Sequence, residues 1–116
     1  MSVSVVCVAA EADLVKVLGE VWLLVSSTRP PDQVVVVFDG CWPTHLPPAD
    51  PRVVLYHTGA VRGLQASYRA AAILATGSEL YRYEDWQRYV ESGMLPPRTQ
   101  PDEQTVTGDP RQIWTD

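Results

Sequence analysis

The sequence predicts an α/β fold of three layers: a mainly parallel sheet of about four strands with two main helices, followed by an extended Pro-rich C-terminal arm. Three observations predict it. Two valine-rich runs, residues 2–10 and 34–38, are almost continuously hydrophobic. Strands buried on both faces need that pattern, and parallel sheets are where such strands occur. Stretches with helical periodicity separate the apolar runs, as parallel crossovers require. From Pro96 onward, periodicity stops and the chain becomes polar and Pro-rich.

Taken in order, residues 2–10 (SVSVVCVAA) are the first strand. Residues 11–27 are a helix whose Leu14, Val17, Leu18, Val21 and Val25 form one apolar stripe. Trp22 is expected in the core or at its edge. Glu11 and Asp13 suit the positive end of the helix dipole, and Arg29-Pro30-Pro31-Asp32 stops the helix. Residues 34–38 are the second strand, ending on Asp39-Gly40. A loop with four prolines (Pro43, Pro47, Pro48, Pro51) leads to a third strand at 52–57. Residues 63–75 are a second helix, with Gly77 read as its C-terminal breaker. Residues 79–83 are the fourth strand and 85–91 a short helix. The α/β domain is placed at 1–93 and the arm at 94–116. The layering is Rossmann-like.

The chain has 116 residues and a net charge of -5, with eight arginines and Lys16 as the single lysine. Nucleic acid is a poor partner, because binding it needs clustered Lys and Arg. No basic n-region or cleavage-like site opens the sequence. No apolar run approaches the roughly 20 residues of a membrane span. The expectation is a soluble protein, cytoplasmic or virion-associated. Cys7 reads as a small buried hydrophobe and Cys41 as partly exposed. They fit no metal spacing, and no disulfide is implied. His45 and His57 have no Ser or Cys partner in sequence, and Ser67 and Ser78 lie in no nucleophile-elbow pattern.

Three stretches carry a family resemblance: Val3-Ser4-Val5-Val6-Cys7-Val8; Pro30-Pro31-Asp32-Gln33-Val34-Val35-Val36-Val37-Phe38-Asp39-Gly40; and Arg62-Gly63-Leu64 with Ala70-Ala71-Ala72-Ile73-Leu74-Ala75-Thr76-Gly77. In order and spacing they resemble the N-terminal half of family 2 glycosyltransferases, whose fold is the glycosyltransferase A type. The resemblance covers residues 3–86. It implies a nucleotide contact at Asp39, which matches the family's acidic residue after the second strand. The family's metal-binding Asp-x-Asp falls on Glu84-Asp85-Trp86, so Glu84 and Asp85 are the candidate ligands for manganese or magnesium. The departures are pointed. Val8-Ala9-Ala10-Glu11 stands where the family has Pro-Thr-Tyr-Asn, and Trp86 replaces the last metal ligand. Family members continue beyond this point to supply the acceptor site and base.

The resemblance is therefore to a truncated and degenerate member. The leading expectation is a non-catalytic structural or assembly protein, an accessory subunit of a larger complex such as a phage minor capsid or virion accessory protein. No cofactor is expected. The partner is expected to be a protein or a second copy, bound through an exposed sheet edge and the C-terminal arm. Trp42 and Trp114 are the interface candidates, because aromatic side chains are enriched at interface centres. The alternatives are a family 2-like transferase using a nucleotide-sugar, for which manganese or magnesium would be needed, and a nucleotide-sugar-binding module without turnover.

Overall fold

The computed structural model describes residues 2–47 and 49–92. The expected arm at 94–116, with Trp114, lies outside the described residues. Strands β1 (Val3–Ala9), β2 (Gln33–Phe38), β3 (Val53–His57) and β4 (Glu79–Arg82) form one sheet in the order β3-β2-β1-β4. All three pairings are parallel. The helices are α1 (Leu14–Ser26), preceded by a 3-10 turn at Glu11–Asp13, then α2 (Leu64–Leu74) and α3 (Tyr83–Ser92).

The central strands follow from their composition. Val5, Val6, Val34, Val35, Val36 and Val37 are fully buried. Each contributes on the order of 1.5–2 kcal/mol by leaving water. Alternate residues serve opposite faces. Val5, Cys7, Ala9, Val34, Val36 and Phe38 pack with α1 and α3, whereas Val6, Val8, Val35 and Val37 pack with Ala71 and Ala72 of α2 and with Ala75 just after it. The helices take opposite faces for a topological reason. The chain steps from β1 to β2 in one direction and from β3 to β4 in the other, so right-handed connections place α1 and α2 on opposite sides.

Four sequence expectations change. The sheet is wholly parallel rather than mainly so. The third helix starts two residues before the expected 85–91, because Tyr83, expected at the end of the fourth strand, leaves β4 to start α3. Its Tyr83 and Trp86, spaced a helical turn apart, are buried against the core, and Tyr89 packs on it. Trp22 is 54% exposed instead of core. It falls on the far side of α1 from the stripe of Val17, Val21 and Leu24. Gly77 is also not a left-handed helix breaker: positive φ is confined to Gly40, Gly59 and Gly63 among the described glycines. It lies against β1, where its N–H donates to Ser4 Oγ at 2.9 Å.

The loop before β3 is held by one ion pair. Arg52 donates to both Asp50 oxygens at 2.7–2.9 Å and to the Val25 carbonyl of α1 at 3.2 Å. The side-chain hydrogen bond from Arg52 holds the Asp50 carboxyl down at about 2, against 3.8 for an ordinary aspartate. A lowered folded-state value stabilises the fold above about pH 4 and loses that stabilisation as pH falls toward 2. Asp50→Asn therefore melts below wild type at neutral pH, and circular dichroism melts show the gap narrowing as pH approaches 2. A gap independent of pH would contradict this assignment.

Candidate functional site

A wholly parallel sheet brings every strand's carboxyl end to one edge, which is where open α/β sheets place ligands. Here that edge carries Ala10 and Glu11 after β1, Asp39 to Trp42 after β2, Thr58 after β3, and Glu84 at the start of α3 after β4. Asp39, Trp42 and Glu84 thus share an edge. Asp39 and Glu84 are not brought together, however. They follow β2 and β4, which flank β1 on opposite sides, so roughly 9–10 Å of sheet separates their strands.

Asp39 is 5% exposed. Its N–H continues the ladder to Ala9 O at 2.9 Å. Its carboxylate accepts the Arg62 N–H at 2.8 Å and the Gly63 N–H at 3.1 Å. Gly63 is the residue immediately before α2, with φ 96°. The Asp39 carboxylate therefore holds the amides that lead into α2, near the positive end of that helix. The Asp-Gly turn of the sequence serves a distant segment rather than its own loop.

Gly40 completes the knot. It has φ 70°, and a Cβ there would lie 2.6 Å from the Val61 backbone nitrogen. Its N–H donates to Thr58 Oγ1 at 2.8 Å, and that hydroxyl lies 2.8 Å from the Ala60 carbonyl it donates to. Asp39, Gly40 and Thr58 together lock the ends of β2 and β3 to the start of α2. Thr58 was missed in sequence; a Thr just past a strand carries no signal unless its fold neighbour is known.

Trp42 sits above this knot. Its ring meets Phe38 edge-on at 5.1 Å and His57 at 5.4 Å. It is still 47% exposed. Val61 and Leu64, which bracket the Asp39-bound amides, are exposed as well, as are Leu46 in the same loop and Tyr56 on β3. His45 is exposed and contacts Thr44 Oγ1 at 3.3 Å.

Glu84 and Asp85 are exposed on the first turn of α3. Asp85 pairs with Arg88 at 2.8 Å, one helical turn on. Trp86, at the third position of the metal motif, is 8% exposed and packs against Tyr81 at 5.8 Å. A divalent cation wants about six oxygens or more. These residues do not make such a set, and among the described residues no three His, Cys, Asp or Glu gather as one.

Burial, reinforced by the Glu84 charge, pushes the Tyr68 phenol up to about 12, although Arg82 lies 4.2 Å from its ring centre. Burial also raises the Cys7 and Cys41 thiols, so neither is an activated thiolate. Ser67 is fully buried on α2, out of reach of a substrate. No helix of the described residues is long and apolar enough to cross a membrane. Compared with models of known protein families, with curated proteins and with solved structures, the chain has no match.

Proposed function

We propose that the protein is a non-catalytic assembly subunit, built on a degenerate glycosyltransferase A-like fold, that docks to a protein partner through the β3 edge and the Trp42 surface beside it. The observation that carries this reading is that large apolar side chains stand exposed on both faces of the β3 edge: Trp42, packed on Phe38 and His57, on one face and Tyr56 on the other. Exposed apolar side chains beside an open strand edge mark interaction sites. β3 is also an outer strand. Val34 N–H bonds Arg52 O, and Thr58 N–H bonds Phe38 O. Even-numbered residues thus turn their backbone to β2, which leaves Leu55 and His57 to present theirs outward. An outer strand of this kind accepts an added strand from a partner.

The parallel order, with an acid after the second strand, supports the ancestry. The employment of that acid within the fold supports loss of the ancestral chemistry. Two measurements test the proposal. Titration calorimetry with uridine or guanosine diphosphate-sugars and manganese gives no binding heat at about millimolar ligand. Tagged chain co-purifies with its partner from its source cells, and Trp42→Lys with Tyr56→Lys abolishes this while circular dichroism shows the variant still folded. Saturable heat in the first experiment, or an unaffected complex in the second, would sink the reading.

A further inference from the structure

We infer that the occupant of the β3 edge is a second copy of this chain, paired antiparallel about a two-fold axis at Leu55 so that the two sheets join into one. This rests on the β3-edge reading above and names its partner. The backbone sets the terms. Val54 and Tyr56 turn their N–H and C=O groups to β2, so Leu55 and His57 turn theirs outward, where nothing among the described residues meets them. Such a row of groups is the template for another extended strand. Natural outer strands are commonly blunted by Lys, Pro, a bulge or an inward-pointing charge. The run Val53–His57 (VVLYH) has none of these, and its register with β2 is unbroken from Val34–Val53 to Phe38–His57.

The side chains select the copy. A two-fold axis perpendicular to the sheet sets Leu55 opposite Leu55 of the second copy, His57 opposite Val53 and Tyr56 opposite Val54. Full overlap of this five-residue strand with itself occurs in that register alone. On one face, Val53 of the second copy then lies against His57 and the Trp42 ring packed on it. On the other face, Val54 of the second copy lies against Tyr56. Both exposed aromatic side chains of the edge thus acquire a valine, and aromatic with β-branched is a favourable cross-strand pair.

Hydrogen bonds and charge agree with the same register. Leu55 N–H donates to the Leu55 carbonyl of the second copy, and His57 N–H donates to its Val53 carbonyl, each bond repeated by the axis as an isologous contact requires. Val53 N–H needs no partner, because it already donates to the Asp50 carbonyl at 2.9 Å. Two copies of a chain with a net charge of -5 repel each other at long range. No Lys, Arg, Asp or Glu lies within Val53–His57, and Arg52 and Asp50 beside it neutralise each other at 2.7 Å. The copies therefore meet at this edge with no like charges opposed.

A register-specific disulfide tests this. Val54→Cys and Tyr56→Cys are made separately in the full chain carrying Cys41→Ser. In the proposed pairing, positions 54 and 56 of opposite copies face each other with Cα atoms about 4.5 Å apart, whereas the two copies of position 54 lie roughly 7–8 Å apart, as do those of position 56. A disulfide needs about 4.4–6.8 Å. Under mild oxidation the mixture therefore gives a disulfide-linked dimer, and neither variant alone does. Sedimentation equilibrium of wild type shows monomer and dimer in exchange between about 10 µM and 1 mM. His57→Pro deletes an outward N–H that β2 does not use, so it weakens the dimer about tenfold or more while circular dichroism shows the fold kept. A chain that stays monomeric up to about 1 mM overturns the inference, whichever other segment or protein covers β3. So does a dimer indifferent to His57→Pro, or cross-linking of either variant alone as readily as of the mixture. If the chain is monomeric while Trp42→Lys with Tyr56→Lys still abolishes co-purification, the self-pairing falls and the docking reading stands.

Discussion

Asp39→Asn lowers the free energy of unfolding by about 2–3 kcal/mol, because one of two buried amides loses a charged acceptor and the new amide group faces an N–H donor. The affected bonds are those from Arg62 and Gly63, and both lie in a nearly closed site. Urea unfolding followed by tryptophan fluorescence measures the loss. The value discriminates between roles. A carboxylate kept for a nucleotide would be replaceable with little effect on stability, and often with a gain. A carboxylate that ties β2 to the start of α2 is not. Stability unchanged in Asp39→Asn would restore the ligand-contact reading.

Gly77→Ala is expected to be at least as damaging. An added Cβ would sit 2.6 Å from Ser4 Oγ, 2.7 Å from Ser4 N and 3.0 Å from the Val3 carbonyl carbon. Two of the three atoms are backbone of β1 and cannot swing aside. The same residue anchors a relay that runs from the buried Ser4 out to the surface: Gly77 N–H donates to Ser4 Oγ, Ser4 Oγ donates to Gln33 Oε1 at 2.7 Å, and that oxygen also accepts the Thr76 N–H at 2.9 Å. Moving Gly77 breaks the relay and shifts the Val3–Glu79 register that begins the β1–β4 pairing. A cost of about 3 kcal/mol or more follows, and with it a drop in melting temperature of roughly 10 °C or more. An alanine variant that melts with wild type would show that β1 yields at this point.

The strands were legible because β1 and β2 are buried on both faces, and burial on both faces leaves an unbroken apolar run in the sequence. Helix α1 was legible from its apolar stripe. The stripe on α1 also held information that was not used: Trp22 was expected in the core or at its edge, although its angle from Val17 and Val21 on the helix points it outward, and it is 54% exposed. The role of Asp39 was not legible. Its partners lie 23 and 24 residues away, and only the sheet order brings the end of β2 beside the start of α2. Gly77 shows the same limit. A glycine after a helix has a local explanation, the left-handed cap, whereas its actual reason is a strand from the other end of the domain. The Trp86 position was read through a family motif, and its packing against Tyr81 follows from a turn-by-turn aromatic spacing on α3 that the motif obscured.

The strand order has a consequence for how the protein is made. β1 emerges first from the ribosome, yet its two neighbours arrive at very different times. After Phe38 completes β2, translation must still reach Arg82, roughly 2–9 s later at about 5–20 residues per second. Throughout that interval one margin of β1 has no companion strand, and its valines meet whatever other nascent chains are close by. Pairings between distant segments also form slowly once synthesis ends. The yield of native protein is therefore expected to depend on translation speed and on the density of ribosomes making it, so slow expression at reduced temperature should recover more of it than any change that only strengthens the finished fold.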